Sequence, residues 1–139
     1  MCLALYAAAD APLPEIPVVD PPAPLSVRPL RRDEAAVRAR FSKPHVYFLG
    51  ADTGCSCGFS YDAPETGPAE RRDSVRQLRA YLTDVVARVG PVELYTCWGG
   101  DEAEPARERV HISPGYFVDD AEVFELPERW LATVTAAAV

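Results

Sequence analysis

The sequence predicts an α+β fold, in which a mixed, largely antiparallel β-sheet carries two helices mainly on one of its faces. The clearest element is the segment 74–89, where apolar residues recur at helical spacing. Ser74 and Gln77 have the spacing of a capping box at its start, and Gly90 follows its end. Short apolar runs typical of strands lie on either side of this helix. A chain of 139 residues with these elements fits a single domain, 1–139.

The first half of the chain contains two predicted strands and one weak helix. A strand at 2–8 precedes the proline-rich segment 11–25. Because proline fixes φ and lacks an amide hydrogen, we expect 11–25 to be an extended connector within the domain. The weak helix is predicted over 32–41, with Asp33 as its N-cap. A strongly apolar strand, HVYFLGA, follows at 45–51.

The second half contains the long helix and four further predicted strands. The first is a short strand at 58–62, before the helix. Strands at 92–98 and 107–113 follow the helix, and we expect them to form a hairpin. The acidic loop between them, 99–106, is interpreted as a solvated hairpin tip. One more strand lies within 122–134.

Composition and charge exclude several classes of function. The formal net charge of -7 and the pI near 4.8 disfavour binding to nucleic acid. The apolar run at the start ends at Asp10 and has no preceding basic residue, so it predicts neither a signal peptide nor a membrane span. We therefore expect a soluble, cytoplasmic protein with no membrane partner. In that reducing compartment the four cysteines are not a disulfide framework.

Two cysteines one residue apart, Cys55 and Cys57, follow the strand 45–51 in a turn rich in glycine. Thiolates at this spacing can bind one soft metal ion together, whereas a tetrahedral zinc site needs two further ligands. Cys97 lies at the same end of the sheet if strand 45–51 runs parallel to the strand that contains Cys97. If strand 58–62 is the parallel neighbour instead, the two regions lie far apart. The sequence leaves both topologies open.

The remaining candidate ligands are predicted to share one face of the sheet. Alternation places Cys97 and His111 on the outward faces of their strands, and these two residues oppose each other if the strands form a hairpin. A protonated His111 would then favour the Cys97 thiolate. Cys2 is predicted to face the same way from the first strand. We therefore predict a thiol-centred site for a transition metal such as zinc. Its candidate ligands are Cys2, Cys55, Cys57, Cys97 and His111.

Three other interpretations stay open, so the sequence does not decide whether the protein is an enzyme. A redox role is compatible with Cys55 and Cys57, whose Cα atoms are roughly 6.6 Å apart in extended chain, which would make their disulfide strained and easily reduced. Both residues could instead belong to a structural or protein-interaction module without chemistry. The third interpretation is a cysteine-nucleophile enzyme. If Met1 is removed, Cys2 resembles the N-terminal nucleophile of the class II glutamine amidotransferases, which implies a thiol that attacks an amide with its own amine as base.

Four stretches together resemble small bacterial proteins of an uncharacterised family: MCLALY, FSKPHVYFLG, GCSCGF and VELYTCW. This resemblance extends over most of the chain. It implies no activity, no cofactor and no site residue.

Overall fold

Eight strands form two sheets in the computed structural model, which describes residues 2–62 and 69–137. The strands are β1 (Leu3–Ala9), β2 (Ser26–Pro29), β3 (His45–Gly50), β4 (Tyr61–Asp62), β5 (Val92–Trp98), β6 (Glu108–Ile112), β7 (Val123–Phe124) and β8 (Trp130–Val134). Six of them form the main sheet in the order β2-β3-β1-β5-β8-β6, and β4 pairs with β7. All pairings are antiparallel except that of β6 with β8. The predicted α+β class is confirmed.

The long helix, α1, spans Ala69–Val89 and packs on one face of the main sheet. Five residues of the predicted apolar stripe are buried: Val75, Leu78, Leu82, Val85 and Val86. Ser74 lies inside the helix rather than at its start, so the capping-box interpretation is wrong. Its buried hydroxyl accepts the Asp52 amide hydrogen at 3.0 Å and contacts the Asp52 carboxylate at 3.3 Å. No helix in the described part of the chain has the length and apolar character needed to cross a bilayer.

A 3₁₀ segment, Arg32–Arg40, covers the other face of the sheet in place of the predicted weak helix. Its N-cap is Arg31 rather than Asp33. Val37 is fully buried on this face, and the Phe41 ring packs edge-on against Tyr95 with centroids 6.4 Å apart. The two helical segments therefore lie on opposite faces, whereas the sequence predicted both mainly on one face.

The predicted hairpin between β5 and β6 is wrong, because β8 lies between them. β8 pairs antiparallel with β5 and parallel with β6. Four of its five residues are buried, whereas Glu108 and Arg109 of β6 are exposed. An apolar strand is favoured inside the sheet and a charged strand at its edge, which explains the order.

Strand direction brings three chain segments to one end of the sheet. β3 and β5 are both antiparallel to β1, which lies between them, so β3 and β5 run in the same direction. Their last residues consequently lie beside the first residues of β1. Segment 51–60, the turn after β5 and Cys2 all meet at this end. Segment 58–62 contributes only the short β4, because Ser56–Phe59 forms a 3₁₀ turn.

Candidate functional site

Three of the five predicted ligands converge at this end of the sheet. The sulfur atoms of Cys2, Cys55 and Cys57 all lie within 4.8 Å of one another, although Cys2 is 53 positions before Cys55 in the chain. Cys2 is exposed, and the other two are partly buried. We refer to these three residues as the thiol cluster.

Backbone and hydroxyl hydrogen bonds fix the loop that carries two of these thiols. The Ala51 amide donates to the Cys55 carbonyl and the Gly54 amide donates to the Ala51 carbonyl, both at 2.9 Å. The Thr53 hydroxyl donates to the Cys55 carbonyl at 3.0 Å and accepts the Gly58 amide hydrogen at 3.1 Å. Gly54 has φ of +83°, a conformation that favours glycine. These hydrogen bonds thus define the shape of the loop.

Ser56, between the two cysteines, fastens the loop to the sheet. Its hydroxyl accepts the Leu5 amide hydrogen at 2.8 Å and donates to the Leu49 carbonyl at 2.6 Å. The hydroxyl therefore lies between β1 and β3 and is inaccessible to solvent. On the other side of β1, the Gly99 amide donates to the Cys2 carbonyl at 2.7 Å.

Replacing Ser56 with alanine is expected to lower the free energy of unfolding by about 1–3 kcal/mol, because a buried donor and a buried acceptor lose their partner. Chemical denaturation would measure this loss. Ser42→Ala is the matched control, since Ser42 is exposed and its hydroxyl donates to the Glu93 carboxylate at the surface. A loss for Ser56→Ala no greater than that of the control would mean that Ser56 does not fasten the loop.

The thiols of Cys55 and Cys57 differ in how readily they ionise. Burial raises the pKa of Cys57, and the neighbouring Cys55 thiol raises it further. The Leu3 amide, which donates to the Cys57 sulfur at 3.2 Å, acts to lower this pKa but does not outweigh the other two effects. Burial also acts to raise the pKa of Cys55. Hydrogen bonds from Thr53, the Cys57 amide and the other two thiols outweigh that effect, so the pKa of Cys55 lies below its ordinary value. Of this pair, Cys55 is the thiol that ionises first.

A cleft of about 540 Å³ opens beside the thiol cluster. Cys2 and Cys55 are among the residues that line it. Arg28, Glu34 and Glu102 line it as well, so thiols and charged side chains share one space.

The Tyr6 hydroxyl lies within hydrogen-bond distance of two carboxylates in this cleft. The Tyr6 hydroxyl lies 2.9 Å from Glu102 and 3.3 Å from Glu34, and the pKa of Tyr6 is raised, first by burial and then by these carboxylates. Arg28 donates two hydrogen bonds to Glu34, at 2.7 and 3.0 Å. Burial acts to raise the pKa of Glu34, but Arg28 and a backbone amide hold it below its usual value.

The acidic loop was interpreted as a solvated hairpin tip, and for Glu102 this interpretation is wrong. Its side chain is buried, with 7% of its surface exposed, and it accepts a hydrogen bond from the Gly100 amide at 3.1 Å. Alternation along β1 places Tyr6 on the face opposite Leu3 and Leu5. Nothing in the local pattern around Arg28, Glu34 or Glu102 indicated that they would meet it there, because they come from three separate segments.

Cys97 and His111 are not part of the cluster, and the predicted pairing between them is wrong. Cys97 lies opposite Ala4 and is fully buried. Burial, and then the nearby carboxylates of Glu102 and Asp101, raise the pKa of Cys97 to about 12, the reverse of the predicted activation. His111 is exposed on the edge strand β6, opposite Thr133 of β8. The inserted strand β8 separates these two residues.

Comparisons of the chain with protein-family models, with curated proteins and with solved structures each found no match. What the thiol cluster does must therefore be inferred from its own geometry.

Proposed function

We propose that this protein binds a transition-metal ion, zinc foremost, through the thiolates of Cys2, Cys55 and Cys57. The observation that carries the proposal is the convergence of the three sulfur atoms within 4.8 Å. In a tetrahedral zinc site, with Zn–S bonds of about 2.3 Å, the sulfur atoms are about 3.8 Å apart. Each pair of sulfur atoms therefore has to close by about 1 Å at most.

The surroundings of the sulfur atoms support this assignment. The Leu3 amide donates to the Cys57 sulfur, and the Thr53 hydroxyl lies 3.5 Å from the Cys55 sulfur. Partners of this kind orient ligands and tune their affinity for a metal. The hydrogen bonds of the loop and those of the Ser56 hydroxyl hold two of the thiols in place.

Three thiolates leave one coordination position of a tetrahedral ion open. Within residues 2–62 and 69–137, no further histidine, cysteine or acidic side chain joins the group of three. Closed structural zinc sites use four protein ligands, whereas three protein ligands and one exchangeable position are typical of reactive zinc sites. The geometry therefore supports an accessible ion more than a purely structural one.

The experiment that tests the proposal combines metal analysis with cysteine variants. Protein purified under anaerobic conditions would be titrated with Zn²⁺ against a chromophoric chelator, and with Co²⁺ while thiolate-to-cobalt absorption is followed. We expect one ion per chain. Cys55→Ser and Cys57→Ser should each weaken binding by about 100-fold or more, because loss of an outer hydrogen-bonding partner alone costs about 10- to 100-fold.

Cys97→Ala is the matched control, because it removes a thiol that lies outside the cluster. This variant should keep the stoichiometry and affinity of the parent protein. Circular dichroism would check that each variant is folded. Failure of the parent protein to bind either ion, or equal binding by the parent and the Cys55 and Cys57 variants, would contradict the proposal.

A further inference from the structure

We infer that the open position of the bound ion takes a small aminothiol, whose sulfur binds the ion and whose ammonium group binds Glu102 in the cleft. This inference rests on the proposed function. It adds a class of ligand, which the thiol cluster alone does not specify.

The position of the cleft indicates where an added ligand enters. Cys2 and Cys55 line the cleft of about 540 Å³, a volume within the range of small-molecule sites. Cys57 instead lines a separate hollow together with Trp98 and Leu126. A ligand in the cleft would therefore approach the bound ion from the side of Cys2 and Cys55.

Thiolate chemistry favours sulfur as the added donor. Soft thiolate ligands suit the metals that a cluster of three cysteines selects. When a thiol replaces water on the ion, its sulfur forms the new bond and its proton passes to the solvent. The step involves no electron transfer and needs no other reactant.

Charge in the cleft favours a cationic partner over an anionic one. The charged residues that line it are Arg28, Arg31, Asp33, Glu34 and Glu102. Arg28 and Glu34 form a two-point ion pair and neutralise each other. The remaining three carry one net negative charge, and three thiolates on a divalent ion add another. Opposite charge attracts a ligand to such a cleft, and like charge disfavours it.

Glu102 is the carboxylate best prepared to bind an ammonium group. The Gly100 amide donates to one of its oxygens at 3.1 Å and lies 3.4 Å from the other, which accepts a hydrogen bond from the Tyr6 hydroxyl at 2.9 Å. A carboxylate can accept about four hydrogen bonds, so it keeps acceptor capacity toward the cleft. Because Glu102 is buried and already oriented, little ordering is needed when the ligand binds.

The test uses Co²⁺-loaded protein and two thiols of equal length, cysteamine and 2-mercaptoethanol. Each would be titrated while thiolate-to-cobalt absorption is followed, first with the parent protein and then with Glu102→Gln. We expect both thiols to increase the absorption. Glu102→Gln should weaken cysteamine binding about tenfold, the effect of losing a charge-assisted hydrogen bond, and leave 2-mercaptoethanol binding unchanged. Comparing proteins rather than thiols removes the difference in intrinsic acidity between the two ligands.

Glu104→Gln is the matched control, because Glu104 belongs to the same acidic loop but its side chain is 55% exposed. It should change neither affinity. A Co²⁺ spectrum that responds to neither thiol, or equal changes for the two thiols in Glu102→Gln, would overturn the inference and leave metal binding intact. Absence of any thiolate-to-cobalt absorption would overturn the inference together with the proposed function.

Discussion

Replacing Leu82 with alanine is expected to lower the free energy of unfolding by about 2–5 kcal/mol, the range for creating a cavity in a protein core. Leu82 is fully buried in the layer between α1 and the main sheet. Its removal leaves a space that the neighbouring Leu78 and Val86 cannot fill without moving α1. Urea denaturation, followed by circular dichroism, would measure the loss.

Thr83→Ala is the control for this variant. Thr83 is the next residue of α1, is exposed, and its hydroxyl donates to the Arg79 carbonyl within the helix. Its replacement should change stability by less than about 0.5 kcal/mol, as for most surface substitutions. If Leu82→Ala also falls below that value, α1 does not form the core with the sheet.

Zinc is expected to raise the free energy of unfolding by about 4 kcal/mol when free zinc is 1,000 times its dissociation constant. A ligand that binds only the folded protein stabilises it by this amount through mass action. The folded chain brings Cys2 and the Cys55 loop together, whereas unfolding separates them by 53 positions of flexible chain. Thermal unfolding at several zinc concentrations would measure the gain.

Two comparisons make the zinc experiment specific. A chelator should return the unfolding temperature to that of the metal-free protein. Cys57→Ser, with binding at least about 100-fold weaker, should gain at most about 1.4 kcal/mol at the same zinc concentration, whereas Cys97→Ala should show the full gain relative to its own metal-free form. A gain of equal size in Cys57→Ser would place the bound ion elsewhere on the protein.

The sequence predicted those elements that a local pattern of apolar and polar residues determines. The apolar stripe of α1 and the bounds of β5 are local features, and both agree with the prediction. Cys97, which alternation placed on the outward face of β5, is buried, because that face is also covered. The order of the strands depends on competition between segments. β6 follows β5 in the chain, but the more apolar β8 lies beside β5 in the sheet. This order cannot be predicted from the pattern of any one segment.

The candidate site likewise contains residues that the sequence predicted and residues whose position depends on contacts between distant segments. Cys2, Cys55 and Cys57 were predicted as ligands from their chemistry and spacing, and strand direction brings them together. Cys97 and His111 depended on an assumed hairpin and failed with it. Glu102 was assigned to solvent because acidic loop residues usually lie there, but its contact with Tyr6 joins positions 96 residues apart.

The position of β1 in the sheet also affects how an ion would leave. Residues at the start of a strand commonly open and close on a fast timescale. Here Leu3 pairs with Trp98 of β5, and Leu5 pairs with Leu49 of β3 and Thr96 of β5, so the residues next to Cys2 are held within the sheet. Moving the backbone of Cys2 away from the loop therefore requires breaking pairings of a central strand. Loss of this ligand through movement of the backbone would then require the sheet to open, whereas rotation of the exposed Cys2 side chain would not.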